Sequence, residues 1–266
     1  MSSLGGQLAE AWRSRALLGL MAGREIRARF TGTVLGLVWL YAQPVLTIAA
    51  YYVVFDVVLK ARLGEGAPTR AVGVYLIVGM VPWMGFVDAV SRAMTSLMEA
   101  GGLLQKNALS PVLFPARAVA ASALAFLPPL LLVSAVFAVV IGPSPALLAL
   151  PLLIAAQIAL SFTLGYVFAI LAAAVRDVLQ VVGFGLTLGV FLSPVLFTPG
   201  MIPEAFRWLL WLNPMTPVIL GFQSIILLRE VPGLYVSGAI LAWLAATAVV
   251  LDRLIERSRE HLVDWL

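Results

Sequence analysis

Long uncharged stretches alternate with short polar segments along this chain, and the long stretches predict helices that cross a lipid bilayer. A crossing helix needs about 20 mostly apolar residues, and it pairs its own backbone groups because the hydrocarbon core offers them no other partners. The six predicted spans cover residues 31–59, 71–91, 117–141, 146–175, 178–198 and 231–251. The run Gly142-Pro143-Ser144-Pro145 is a turn signal that separates the third span from the fourth.

Within residues 204–228, the stretch Trp208–Leu228 is uncharged but is interrupted by Asn213, Pro214 and Pro217. Proline removes a backbone donor and ends or bends a helix, so only residues 218–228 remain as continuous helix, and they are too few to cross. We therefore predict a re-entrant pair of helices between the fifth and sixth spans rather than a seventh crossing.

The two ends of the chain predict its orientation. Residues 1–30 carry Leu4, Leu8, Trp12 and Ala16 at every fourth position beside charged residues, which predicts an amphipathic helix at the membrane interface. Residues 252–266 form a charged tail. On this topology most of the 17 Lys and Arg share one side; those on the other side are Lys60, Arg62, Arg70, Arg207 and Arg229. The positive-inside rule then predicts cytoplasmic N- and C-termini.

Composition supports an all-α polytopic membrane protein with six transmembrane helices. Of the 266 residues, 62% are hydrophobic and 11% are charged, whereas soluble domains carry about a quarter charged residues. The net charge of +4 is spread thinly, which excludes a nucleic-acid binder. With no cysteine and only His261, the chain predicts no thiolate or histidine metal cluster. It has no phosphate loop and no hydrolase motif, so we predict no catalytic residue and no cofactor of its own.

Several aromatic and polar residues fall inside the first two spans. Aromatic rings can stack on many different sugars, so these residues could line a pore. Aromatic rings also pack well against lipid, which is the alternative interpretation. Gln43 precedes Pro44, and the bend that this proline predicts either lines a cavity or is a tolerated kink. The candidates for channel lining are Tyr41, Gln43, Tyr51, Tyr52, Trp83 and Phe86.

Residues 99–111, between the second and third spans, predict a short exposed helix. It begins at Gly101-Gly102, continues through apolar Leu103 and Leu104, and is ended by Pro111. Apolar residues on such a turn suit a groove in a partner protein, and resting on lipid headgroups is the alternative.

Motifs distributed over nearly the whole chain resemble those of a known family, the ABC-2 type permeases that export lipid-linked polysaccharides, O-antigen and teichoic acid. The motifs are Arg24-Glu25-Ile26-Arg27-Ala28-Arg29-Phe30, Thr33, Leu35-Gly36, Trp39, Gln43-Pro44, Arg176-Asp177, Ser193-Pro194, Leu212-Asn213-Pro214 and Thr216-Pro217. The resemblance implies a homodimer in the bacterial inner membrane, working with two copies of a separate cytoplasmic ABC ATPase that binds ATP and Mg. It implies a lipid-linked polysaccharide as substrate.

The same resemblance implies roles for three groups of residues. The short helix would couple to the ATPase, through Leu103, Leu104, Gln105, Lys106 and Asn107. The re-entrant helices would gate the outer mouth of a channel, through Trp208, Trp211, Asn213, Pro214 and Pro217. Arg24, Arg27 and Arg29 would meet the diphosphate of the lipid carrier, because guanidinium groups suit phosphate oxygens, or they fix topology only.

Two other functions compete with polysaccharide export. An ABC-2 exporter of small lipophilic compounds or drugs would have the same fold. A proton-driven carrier or membrane enzyme needs clustered intramembrane acids or histidines, which this sequence does not display. Asp88 and Arg92 lie four residues apart, one helical turn, and predict an ion pair at the inner boundary rather than a proton relay.

Overall fold

A computed structural model describes residues 3–63, 68–106, 109–259 and 261–266 of the chain. In that part of the chain the structure is helical, apart from one isolated β-bridge between Arg62 and Ala71. The α-helices are α1 (Leu4–Arg13), α2 (Arg15–Arg29), α3 (Val38–Tyr52), α4 (Val72–Glu99), α5 (Gly101–Lys106), α6 (Leu113–Val140), α7 (Leu150–Ala174), α8 (Asp177–Gly189), α9 (Met215–Gln223), α10 (Leu234–Ser258) and α11 (Leu262–Trp265). Short 3₁₀ or π-helical segments are Val53–Val58, Pro145–Ala149, Val190–Leu192, Pro199–Met201, Glu204–Leu212 and Ser224–Leu228.

Among the described residues, five helices are long and apolar enough to cross a membrane, which confirms the all-α polytopic fold class. They are Val38–Val58, Val72–Glu99, Leu113–Val140, Pro145–Ala174 and Leu234–Ser258. The first of them begins at Val38 rather than at residue 31. Gly32 and Gly36 have φ angles of 84° and 51°, a left-handed backbone that produces turns before the helix.

The helix observed in the stretch predicted as the fifth span is shorter than the five long helices. Helix α8 with its 3₁₀ extension covers Asp177–Leu192, about 24 Å at the helical rise of 1.5 Å per residue. It still connects the two ends of the bundle. It begins just after α7 ends, and the segment that follows it reaches the start of α4, where Tyr75 Oη donates a hydrogen bond to the Phe197 carbonyl (3.2 Å).

The segments Glu204–Leu212 and Met215–Leu228 form a pair of helices bent by 104°. The pair returns to the end of the bundle from which it started: the guanidinium of Arg229 donates to the Pro143 carbonyl (3.0 Å) in the turn between α6 and α7. The two segments thus fold back on each other, and we call residues 204–228 the hairpin.

The N-terminal helices and the end of α10 meet at the opposite end of the bundle. The backbone N–H of Leu4 donates to Asp252 Oδ1 (2.7 Å), and Tyr166 Oη donates to the buried Gln7 Oε1 (2.8 Å). Between α1 and the end of α10, the chain therefore runs from one end of the bundle to the other an even number of times. The five long helices and α8 account for six such crossings of the bundle.

Helix α4 is the centre of the fold. In its most apolar stretch 61% of the residues are buried, against 6% for the helix over Val38–Val58. It packs against α6, α7 and the hairpin, so its side chains face neighbours on most sides. Helices α3 and α8 lie on the outside of the bundle, and their exposed residues are mostly apolar, with Gln43 and Gln180 among the exceptions.

Candidate functional site

A groove of about 600 Å³ lies between α3 and α4, bordered also by Val190 beyond α8. We call it the α3–α4 groove. Its walls mix aromatic rings, hydroxyl groups and an amide with methionine side chains, and include Trp39, Gln43, Pro44, Thr47, Tyr51, Met80, Trp83 and Met84. Such a surface offers many weak contacts to a ligand rather than one reactive centre.

The structure brings together three of the six candidates for channel lining. Gln43, Tyr51 and Trp83 line the α3–α4 groove. Tyr41 and Tyr52 are exposed elsewhere on α3 and do not border it. Phe86 is buried beside Trp83, with ring centroids 5.9 Å apart, and lines a different, neighbouring cavity.

One end of the groove reaches a set of charged residues that joins α2, α4 and α6. The set, which we call the ion-pair cluster, consists of Glu25, Arg29, Asp88, Arg92, Glu99 and Arg117. Asp88 is its hub, since its carboxylate contacts Arg29 Nη1 at 3.2 Å and Arg92 Nε at 2.9 Å. The second contact confirms the ion pair predicted from the spacing of Asp88 and Arg92.

The three arginines predicted to meet a diphosphate have different surroundings. Arg24 and Arg27 are exposed on α2, and neither makes an ion pair with another described residue. The side chain of Arg29 is only 9% exposed and lies between the carboxylates of Glu25 and Asp88. Arg29 therefore holds α2 against α4, and the two exposed arginines retain free guanidinium faces.

Helix α5 is shorter than the predicted helix over residues 99–111, because it covers Gly101–Lys106 only. Leu103, Gln105 and Lys106 are exposed, whereas Leu104 is buried against the core. Leu104 thus anchors the helix, and the other three side chains form its outer face. Asn107, also predicted to couple, lies outside the described residues.

Sequence reasoning missed the support beneath α5. Leu262 of α11 is fully buried in the same apolar cluster as Leu104 and Phe114. The backbone of Leu266 approaches so closely that a Cβ on Gly101 would lie 2.8 Å from its carbonyl oxygen. Residues 252–266 were predicted only as a charged cytoplasmic tail, and the alternation of charged and apolar residues there was the available signal for this packing.

The bend of the hairpin is fixed by side-chain hydrogen bonds. Asn213 Nδ2 donates to the Gly189 carbonyl at the end of α8 (3.0 Å), and its Oδ1 accepts from the Met215 N–H at the start of α9 (3.0 Å). Trp243 Nε1 donates to the Trp211 carbonyl (3.2 Å). The bend is therefore tied to both α8 and α10.

The remaining predicted gate residues lie around this bend. Pro214 follows Asn213 and borders the cavity that Phe86 lines, and Pro217 is buried in the first turn of α9. Trp208 is exposed on the first arm of the hairpin. The structure thus groups Trp211, Asn213, Pro214 and Pro217 and leaves Trp208 on the surface.

A buried amide also escaped the sequence analysis. Tyr75 Oη donates to Gln223 Oε1 (3.0 Å), and Gln223 Nε2 donates to the Pro194 carbonyl (2.6 Å). These bonds join α4, the hairpin and the segment after α8. A glutamine inside an otherwise apolar helix was the signal that could have identified this bridge.

Comparisons with known proteins point to one family. The model of the ABC-2 type transporter family matches residues 16–227, which contain the α3–α4 groove, α5 and most of the hairpin. The chain is similar to the O-antigen export system permease protein RfbA of Klebsiella pneumoniae, with 26% identity over 233 residues, 85% of this chain and 87% of that protein. It is 27% identical over 264 residues to the protein of that name from Myxococcus xanthus, covering 96% of this chain and 97% of the relative.

Proposed function

This chain belongs to the ABC-2 type transporter family, and from that premise we propose that it is the permease subunit of an ABC exporter for a lipid-linked polysaccharide. The relatives described above are named as O-antigen export permeases. The observation that carries the proposal is the α3–α4 groove, whose lining suits a sugar polymer that must slide.

The chemistry of the groove favours a glycan over a compact apolar compound. The rings of Trp39 and Tyr51 offer faces for sugar stacking, and Gln43 and Thr47 offer hydrogen-bonding groups. A transported polymer has to be held weakly at many points, because one tight site would stop its movement. Spread contacts along one helix pair meet that requirement.

The lipid carrier has a place at the end of the groove that contains Arg29. Arg24 and Arg27 do not line the groove, but they are exposed on α2, the helix whose Arg29 borders it, and a guanidinium group binds phosphate oxygens through two parallel hydrogen bonds. We assign these two arginines to the diphosphate. Arg29 supports them by fixing α2 through Glu25 and Asp88.

A second copy of the chain completes the conduit. The α3–α4 groove is open along one side, and α3 carries the exposed amide of Gln43 on a helix at membrane depth. Polar groups within a membrane favour a protein partner or a water-filled cavity over lipid. In a homodimer in which the two grooves face each other, the amide of Gln43 has a protein partner and also lines a water-filled cavity.

Two copies of a separate cytoplasmic ABC ATPase dock on α5 and hydrolyse the ATP, so this chain itself is not an enzyme. The outer face of α5 presents Leu103, Gln105 and Lys106 to that partner, and buried Leu104 makes the helix move with the bundle. Closure of the ATPase dimer pushes α5, the ion-pair cluster passes the motion to α2 and α4, and the hairpin opens.

The orientation follows from charge. The end of the bundle that holds α1, α5 and the ion-pair cluster carries most of the chain's arginines, which places it in the cytoplasm under the positive-inside rule. Both termini are cytoplasmic, the chain crosses the bacterial inner membrane six times, and the hairpin faces outward.

Deletion of the gene tests the proposed function. We expect the surface polysaccharide to disappear and its lipid-linked precursor to accumulate inside the cell, and expression of the intact chain to restore export. Antibody or lectin labelling of intact cells measures the surface polysaccharide. Mass spectrometry of extracted lipids measures the lipid-linked precursor. Unchanged surface polysaccharide together with raised accumulation of lipophilic drugs would instead identify an exporter of small compounds.

A further inference from the structure

A second cavity, which is apolar and has a volume of about 550 Å³, lies next to the α3–α4 groove. It is enclosed by α4, α7, α8, α10 and the bend of the hairpin, through residues that include Phe86, Phe168, Val182, Leu186, Leu212 and Trp243. The proposed passage of the polysaccharide does not use it.

Trp83 borders both the cavity and the groove. At the end of α8, Gly189 borders the cavity and the next residue, Val190, borders the groove. The two elements touch, since a Cβ on Gly189 would lie 2.6 Å from Trp83 Cη2. Trp83 and the end of α8 therefore form the wall between the two spaces.

The cavity lies at the depth of the hydrocarbon core. Trp83 is about 16 Å from the first residue of α4 and about 24 Å from its last, at 1.5 Å per residue. The mouth is formed by apolar side chains with large exposed fractions, among them Val181 (71%) and Leu212 (60%). The cavity thus opens onto lipid rather than onto water.

The walls offer a ligand few polar partners. The amide of Asn213 is used by Gly189 and Met215, and the indole N–H of Trp243 is used by Trp211. A ligand that buries polar groups here would leave them unpaired, at a large cost in free energy. The lining therefore selects a hydrocarbon chain.

Protein interiors are close-packed, and an apolar cavity of this kind does not hold water. At this depth the surrounding bilayer presents acyl chains directly at the mouth. We propose that the cavity binds one acyl chain of a membrane phospholipid, which supports the wall formed by Trp83 and the end of α8. Loss of that chain removes packing from the wall beside the groove and from the hairpin bend held by Asn213.

Two glycines of α8 provide a matched test. Gly185 lines the cavity, Gly183 does not, and a Cβ at either position meets no atom within 4 Å. Gly185→Phe is expected to fill the cavity without a clash, and Gly183→Phe adds the same ring to the same helix elsewhere. Leu212→Trp narrows the cavity from the hairpin and provides a second route to the same result.

The purified full-length chain is placed in nanodiscs that contain phosphatidylglycerol with a photoreactive acyl chain, irradiated, and mapped by peptide mass spectrometry. We expect labelled peptides from α8 and the hairpin bend, loss of that labelling in Gly185→Phe and Leu212→Trp, and retention in Gly183→Phe. Equal labelling of all variants, or labelling of these peptides only by a photoreactive prenyl phosphate, overturns the proposal. The assay uses neither the ATPase nor a polysaccharide, so its outcome is independent of the proposed transport function.

Discussion

Arg29 Nη1 lies 3.2 Å from Asp88 Oδ2, so the end of the interface helix α2 is bound to the helix at the centre of the fold. Both side chains are largely buried, and Ser122 Oγ donates a further hydrogen bond to the same Asp88 oxygen. A displacement of α2 along the membrane surface is therefore transmitted to α4, which forms one wall of the α3–α4 groove.

Replacing Asp88 by alanine is expected to destabilise the protein, because it leaves the buried guanidinium of Arg29 without this partner. A buried polar group that loses its partner costs about 1–3 kcal/mol in the free energy of unfolding. The melting temperature of the purified protein in detergent measures the loss. Arg24→Ala is the control and should leave the melting temperature unchanged, since Arg24 is exposed. Equal melting temperatures for Asp88→Ala and the unmodified protein would show that the cluster does not hold α2.

Tyr51 and Tyr52 form a matched pair for testing the groove. Tyr51 lines it and Tyr52 is exposed outside it. If the polymer stacks on the groove wall, Tyr51→Ala lowers the rate of polysaccharide export and Tyr52→Ala does not. Antibody labelling of surface polysaccharide, at equal amounts of permease in the membrane, gives the comparison. A larger effect of Tyr52→Ala would move the path of the polymer to another face of α3.

The exposed arginines of α2 should affect the affinity for the lipid carrier. The double variant Arg24→Gln/Arg27→Gln removes two phosphate-binding groups, so a higher concentration of lipid-linked substrate is needed for half-maximal stimulation of ATP hydrolysis. The half-maximal substrate concentration of the double variant should rise less steeply with ionic strength than that of the unmodified protein, because fewer charges remain to be screened. Arg13→Gln, at an exposed position on α1, serves as control. An unchanged half-maximal concentration in the double variant would restrict these arginines to setting topology.

Leu103 and Leu104 are expected to respond differently to the same substitution. Leu103→Asp places a charge on the outer face of α5 and should uncouple ATP hydrolysis from export while the protein stays folded. Leu104→Asp buries a carboxylate in the core and should lower the melting temperature strongly. The ratio of ATP hydrolysed to polymer exported, measured on the complex with its ATPase, separates the two effects. Full coupling in Leu103→Asp would exclude this face of α5 as the docking site.

The two leucines differ in exposure, since Leu103 is exposed and Leu104 is buried. Neighbouring residues on a helix point about 100° apart, so one of them can face the core while the other faces outward. A helix of six residues makes fewer than two turns, so the sequence pattern does not reveal which of its faces is buried. The fold that packs around α5 decides which leucine is buried.

The spans were predictable because the bilayer imposes a length and an apolar composition on every crossing helix. The lining of the groove was predictable only in part. Tyr41, Tyr51 and Tyr52 have the same chemistry and lie on the same helix, and lipid tolerates an aromatic ring as readily as a groove does. Only the packing of α3 against α4 distinguishes Tyr51 from the other two.

The early end of α8 had a local signal that the predicted span did not use, because Pro194 disfavours a helical conformation at Ser193. Residues 193–198 are uncharged and extend the apolar stretch, but Ser193 and Pro194 leave the helix, and Gln223 binds the Pro194 carbonyl from the hairpin. A contact between segments this far apart in the chain has no local signature. The predicted span over residues 178–198 therefore extended beyond the observed helix.

The contact between Leu266 and Gly101 has a practical consequence for biochemical work. An affinity tag or fluorescent protein fused after Leu266 emerges beside the surface on which the motor subunit is proposed to dock. The rate of ATP hydrolysis measured on such a fusion reflects steric interference by the label in addition to the activity of the transporter itself. A cleavable linker removes that interference before the motor is added.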